Sequence, residues 1–291
     1  MRTAVACLVL IPLLAQSGHG QEYWRGIVDA KFEVPAGETA AKLAGELVTR
    51  LGDVDPVMRD DLAFTILTSW IYDKKLLGPD ELRPIARTLE GNLARDLGTT
   101  GTDAVLLRSF SALTLSVVAA RDNATPFLGD DEFRHLLDSA LDYFRNERDL
   151  RGFDAAKGWI HTAAHTADLL KFLARSQRLR AGDQSRILSA LLDKQRAGAA
   201  FAQGEDERMA RVAISIARRA DFDRAVFREW LDAAKLAAAF PKSPTVDALR
   251  THQNVRHLLA ALWTELSVDD RPSEGADAAR QMLRETLKGL F

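Results

Sequence analysis

The sequence predicts an all-α protein, arranged as an irregular superhelix of stacked helix pairs. Three observations carry that expectation. Apolar residues recur at intervals of three and four through nearly the whole chain beyond residue 20. The segments between them are short turns, such as Gly98-Thr99-Thr100-Gly101 and Pro241-Lys242-Ser243-Pro244, too brief to be interdomain linkers. No alternation of apolar and polar residues is long enough for a strand. With 291 residues, 47% hydrophobic and 27% charged, the chain has length for a sizeable core and lacks the composition of a disordered or disulfide-stapled protein. Self-similarity between segments is weak, so a closed multi-helix bundle is the alternative architecture.

The elements follow in order. Residues 1–20 read as a secretory signal: Met1-Arg2 gives a positive start, Ala4 to Ala15 an apolar run, and Gly18-His19-Gly20 small residues before a cut ahead of Gln21. A cut after Ala15 is the other option. The apolar run is shorter than the roughly 20 residues a bilayer span needs, so no stable membrane span is expected after cleavage. Cys7 falls inside the run, and a mature chain of 21–291, taken as one helical domain, contains no cysteine. That suits a periplasmic or secreted location.

Ala40, Leu43, Leu47 and Leu51 mark the first helix of that domain. Asp55-Pro56 starts the next, Asp capping and Pro in the first turn, with Leu62, Ile66, Trp70 and Ile71 facing inward. Pro79 opens a third with Leu82, Ile85, Ala86 and Leu89. A fourth runs from near Asp103 to Ala120, and a fifth follows Asp130 with Phe133, Leu137, Leu141 and Phe144. Helical spacing continues near 155–175, 183–197, 205–220, 223–239, 245–267 and 274–289.

Chemistry concentrates in the middle. His161, His165 and Asp168 fall at i, i+4 and i+7, one polar stripe on a helix otherwise apolar or small over much of its circumference. Two readings stay open. The stripe is either a divalent metal site, zinc being the example, with Glu147 or Asp149 as further oxygen donors, or a hydrogen-bonded seam between helices. The alternating charges Glu147, Arg148, Asp149 and Arg151, with Lys157, are either an anion-attracting helix start or solvated ion pairs. Arg108 sits mid-helix and must find a carboxylate or solvent. Glu205, Asp206 and Glu207, ahead of Arg208, suit a helix N-terminus. Arg59-Asp60-Asp61 reads as an exposed face, and His252 and His257 as surface or interhelical residues. The five tryptophans, at positions 24, 70, 159, 230 and 263, default to core packing. A formal charge of −2 gives no global field for nucleic acid. No Gly-rich phosphate loop, Gly-x-Ser-x-Gly elbow, His-Glu-x-x-His pair or Cys-x-x-Cys occurs.

The stretches Asp55 to Ala63 (DPVMRDDLA), Arg108-Ser109-Phe110-Ser111, Glu147-x-Asp149-x-Arg151-Gly152, Lys157-Gly158-Trp159-x-His161-x-x-Ala164-His165-x-Ala167-Asp168 and Gly204-Glu205-Asp206-Glu207-Arg208 resemble the uncharacterised bacterial domain-of-unknown-function family 2785, over residues 22–266. The resemblance implies an armadillo-like all-helical fold without an established activity. It also groups Arg108, Glu147, Asp149, Arg151, Lys157, Trp159, His161, His165, Asp168, Glu205, Asp206 and Arg208 in one pattern, a candidate polar site on a concave face. Two functions follow as expectations. One is an exported module binding a peptide, protein or small ligand. The other is a metal-dependent hydrolase-like enzyme centred on His161 and His165.

Overall fold

A computed structural model describes residues 18–288 and 290. The proposed signal segment therefore lies outside the described residues, except for its last three positions. Twelve helices among the described residues bear out the all-α expectation, with a single pair of two-residue strands. Helix α1 (Gln21–Asp29), which the periodicity did not isolate, buries Trp24 and Ile27. Helix α2 (Ala40–Arg50) starts where the Thr39 hydroxyl accepts from Lys42 N at 3.2 Å. Helix α3 covers residues 57–73, beginning where the Asp55 carboxylate accepts from Val57 N at 2.9 Å. Most of α3 is wound with wide π-type turns, Val57–Phe64 and Ser69–Asp73, around one ordinary turn. Such turns are rare and often lie at functional positions. Here they carry Arg59.

Helices α4 (Pro79–Leu93) and α6 (Asp130–Asn146) start alike: Glu81 accepts from Gly78 N at 2.8 Å, and Glu132 from Gly129 N at 2.9 Å. Helix α5 (Ala104–Ala124) lies between them in sequence. By length and composition α5 could cross a membrane, but 78% of its most apolar window is buried within the protein, as a core helix requires. The later helices are α7 (Thr162–Arg175), α8 (Ala181–Gln195), α9 (Glu205–Ala217), α10 (Arg224–Ala237), α11 (Val246–Val268) and α12 (Glu274–Lys288). Asp223 caps α10 through two backbone N–H groups, both at 3.0 Å, and Thr245 caps α11.

Packing alternates along the chain. Helices α5, α7, α9 and α11 pack one on the next, forming one row. Helices α4, α6, α8, α10 and α12 form the second, each touching its successor in that row. One large continuous core runs from Trp24 to Leu283, with a small separate cluster of Val105, Leu106 and Ile160 where the start of α5 meets the chain ahead of α7. Each large aliphatic or aromatic side chain buried there stabilises by about 1.5–3 kcal/mol.

The chain between α6 and α7 departs from expectation. The spacing extended a helix back to residue 155, but α7 begins only at Thr162. Ahead of it stands a hairpin, β1 (Phe153–Asp154) paired antiparallel with β2 (Gly158–Trp159). The Asp154 carboxylate makes its turn by accepting from Ala156 N and Lys157 N, both at 2.9 Å. Gly158 completes it at φ +69°, where a Cβ would stand 2.9 Å from Pro56 Cβ.

Candidate functional site

The hairpin sets the position of His161. Ile160 N donates to Gly152 O at 2.8 Å and His161 N to Arg151 O at 3.0 Å, turning the chain into α7 with His161 as its N-cap. His161 adopts φ 52°, ψ 37°, the left-handed region that non-glycine residues occupy at a cost. The single helical stripe expected for His161, His165 and Asp168 is thus corrected: only His165 and Asp168 are in the helix. The two rings still meet, with centroids 5.6 Å apart.

His165 is built into the core. Its Nδ1 lies 2.8 Å from Ser109 Oγ on α5, which also donates to Ile160 O. The Phe110 ring meets it edge-on at 5.0 Å. Burial, with the charges of His161, Arg208 and Arg59 adding to it, pushes the His165 imidazole well below its ordinary value, so it is neutral at pH 7.

His161 differs. Its ring stacks on Trp159 at 4.7 Å and 20°, and its Nε2 is buried without a hydrogen-bond partner, 3.5 Å from Glu205 Oε1. Burial pushes the Glu205 carboxyl up, but the His161 ring and the backbone N–H groups of Gln203 and Glu205 outweigh it and hold it below the usual value. Trp159 and Phe153 are exposed beside this pair, edge to face at 5.1 Å. Trp159 is therefore not a core tryptophan like Trp24 and Trp70. Strand register places it on the open side of the hairpin, opposite Phe153.

The other candidate residues sort by what they touch. Asp168 is occupied by Lys171, at 2.8 Å, and by Arg208 on α9. Among the described residues no three His, Cys, Asp or Glu side chains gather as a metal set. Arg108 and Glu147 form a fully buried two-point ion pair, Nε–Oε2 2.6 Å and a second contact at 3.2 Å. Arg108 also donates to Arg95 O at 3.0 Å and Asp96 O at 3.1 Å, tying the loop before α5 to the one after α6.

Asp149 holds Arg151 at 2.6 Å and accepts from Gly101 N at 2.9 Å. Burial raises the Asp149 carboxyl, yet those bonds prevail and leave it low. Lys157 pairs with Asp103, and Asp206 lies in the first turn of α9. These residues frame the site; only Trp159, His161, His165 and Glu205 meet at its centre.

Three contributors were not read from the sequence. Arg59, expected on an exposed face, is fully buried and donates to Lys157 O, to Trp159 O at 3.2 Å and to Asp53 O at 2.7 Å, with its guanidinium 4.8 Å over Phe110. Gln203 receives Phe153 N at 2.8 Å through Oε1, an approach possible only because residue 152 is glycine, whose Cβ would fall 1.5 Å from that oxygen. Lys194, 3% exposed, donates to Glu147 O at 3.2 Å; burial lowers it to about 8. Its only sequence signal was a lysine on the inward side of α8.

Fold and site together define an all-helical protein with an aromatic-capped, two-histidine polar face at the junction of three core helices. A family model described as Protein of unknown function (DUF2785) matches residues 93–264, and the chain belongs to that family. The match is narrower than the 22–266 of the sequence resemblance and leaves out the Asp55 to Ala63 stretch. No curated protein and no solved structure matches the chain.

Proposed function

We propose that the protein is a binding module whose ligand contacts the face made by the β1–β2 hairpin and the first turns of α7 and α9. The observation that carries this reading is His161 Nε2, buried without a hydrogen bond, in a loose 3.5 Å contact with the Glu205 carboxylate and next to the exposed Trp159 and Phe153 rings. Buried polar atoms are nearly always hydrogen-bonded, and leaving one unsatisfied costs about 1–3 kcal/mol. A ligand N–H group bridging His161 and Glu205 would satisfy both, while the indole offers it an aromatic face. Peptides and small ligands bearing an amine or guanidinium fit that description.

A metal-dependent hydrolase has weaker support, because Asp168 is committed to Arg208 and Lys171. The two rows of sequentially packed helices favour an open superhelix over a closed bundle. Export remains part of the proposal, with cleavage after Ala15 in place of Gly20. His19 supports that choice: it accepts from the Trp24 indole at 3.1 Å through its carbonyl, and its ring lies 2.9 Å from Glu46. N-terminal sequencing from the native host that starts at Met1 would overturn export.

The binding reading is tested by titrating a panel of short basic peptides and free amines while following tryptophan fluorescence. Saturable quenching that disappears in Trp159→Phe and weakens in Glu205→Gln is expected. Equal responses in wild type and Trp159→Phe, or no saturable response from any panel member, would contradict it.

A further inference from the structure

Away from the histidines, where α7 ends against α9, a cavity of about 660 Å³ is lined by four arginines, Arg175, Arg218, Arg219 and Arg271, with Ser215 and Asp221. Their roles differ. Arg219 is structural: its guanidinium donates to Ala174 O, Ser176 O and Leu179 O at 2.7–2.9 Å and pairs with Asp221 at 2.7 Å, clamping the turn after α7. Arg218 and Arg271 share one carboxylate, Asp269. Arg175 has none within ion-pair reach among the described residues. Its Nε donates to Ser215 Oγ at 3.0 Å, and that hydroxyl is itself fixed by donating to Arg211 O at 2.8 Å.

Three guanidiniums thus line one cavity, two of them sharing Asp269, while the Asp221 carboxylate beside them is taken by Arg219. Their proximity is felt: after burial, the charges of Arg271 and Arg218 push the Arg175 guanidinium below its ordinary value. Like charges facing one cavity repel, the less so because Arg175 and Arg271 are exposed to solvent, and an anion relieves that repulsion. The planar guanidinium fork also matches an oxyanion edge with two parallel hydrogen bonds.

We propose that this cavity is a binding site for a small, multiply charged oxyanion, of which a phosphoryl or diphosphoryl group is the chemical type. Arg175 is its principal ligand, held at the required angle by Ser215. Arg218 and Arg271 complete the charge, and Asp269 fixes their orientation. The site is separate from the His161 face, although both lie along α7. Asp168, one turn from Lys171, stands between them on that helix.

The test is isothermal titration calorimetry of the full protein with pyrophosphate and with inorganic phosphate, each alone. Pyrophosphate is expected to bind saturably at one site and to weaken with rising salt. Arg175→Gln should lose at least about tenfold in affinity, Arg175→Lys should lose less, and Arg87→Gln, on the distant α4, should match wild type. Circular dichroism and melting of each variant exclude misfolding as the cause, and Arg271→Gln supplies an independent loss should Arg175→Gln prove unstable. A parallel arm measures sedimentation with vesicles containing phosphatidic acid. A site for a free ion lodged in the cavity predicts binding of pyrophosphate without vesicle binding. Absence of saturable pyrophosphate binding, equal affinity in Arg175→Gln, or vesicle binding without pyrophosphate binding would overturn the proposal.

Discussion

His165 shows how a burial environment becomes a pH dependence. In the unfolded chain its imidazole takes a proton near pH 6.5. In the folded chain burial and neighbouring cations delay that to well below. The unfolded state therefore binds more protons across that interval, and stability falls as pH drops from about 6.5, by at most about 1.4 kcal/mol per unit. Glu205 and Asp149, both held low, add to the loss only under more acid conditions. His165→Asn keeps a polar atom toward Ser109 without the titration. Urea midpoints between pH 7.5 and 5 should fall more steeply for wild type than for this variant; parallel profiles would refute the assignment. The same scale governs Arg108. Truncating it leaves Glu147 charged and buried, so Arg108→Ala should cost about 3–5 kcal/mol in urea unfolding, whereas Arg108→Met with Glu147→Leu should recover most of that.

At the scale of elements, the hairpin before α7 depends on contacts no periodicity could announce. Gly152 lets Gln203 reach Phe153 N, and Arg59 holds the backbone of β2 from α3. Gly152→Ala should displace Gln203 and loosen the hairpin, seen as faster amide exchange at Phe153 and greater solvent quenching of Trp159, with the helical signal preserved. Unchanged exchange there would show that Gln203 has another way to reach it. Helices α4 and α6 were legible from Pro79 and Asp130 at their starts and from the apolar spacing behind them, whereas the glutamates that cap them, Glu81 and Glu132, show their role only in three dimensions. The helical reading of 155–175 fails at its start because Ile160, Ala163, Ala164, Ala167 and Leu170 keep helical intervals behind a segment whose turn is set by Asp154 and Gly158. The wide turns of α3 arise from packing and left no trace in the residue pattern. Arg59, in a charged triplet that resembles any solvated face, gave no hint of its burial.

Across the whole molecule, the fold class and every helix start except those of α1 and α7 followed, to within about two residues, from spacing and capping, while the division of labour among the polar residues required three dimensions. Arg108, Glu147, Asp149 and Arg151 join loops; His165 and Ser109 join helices; His161 and Glu205 lie buried behind the exposed Trp159, with His161 Nε2 making no hydrogen bond. That division makes the central claim testable through global stability. Residues serving the fold should cost stability when replaced, whereas residues kept for a ligand should not. Asparagine tolerates the left-handed backbone of His161 and caps helices well. Equilibrium urea unfolding of His161→Asn, measured beside Arg108→Ala, should show stability equal to or above wild type, within about 0.5 kcal/mol on the lower side. A loss of more than about 1 kcal/mol would mean that His161 holds the fold together, and that the face is not built for a ligand.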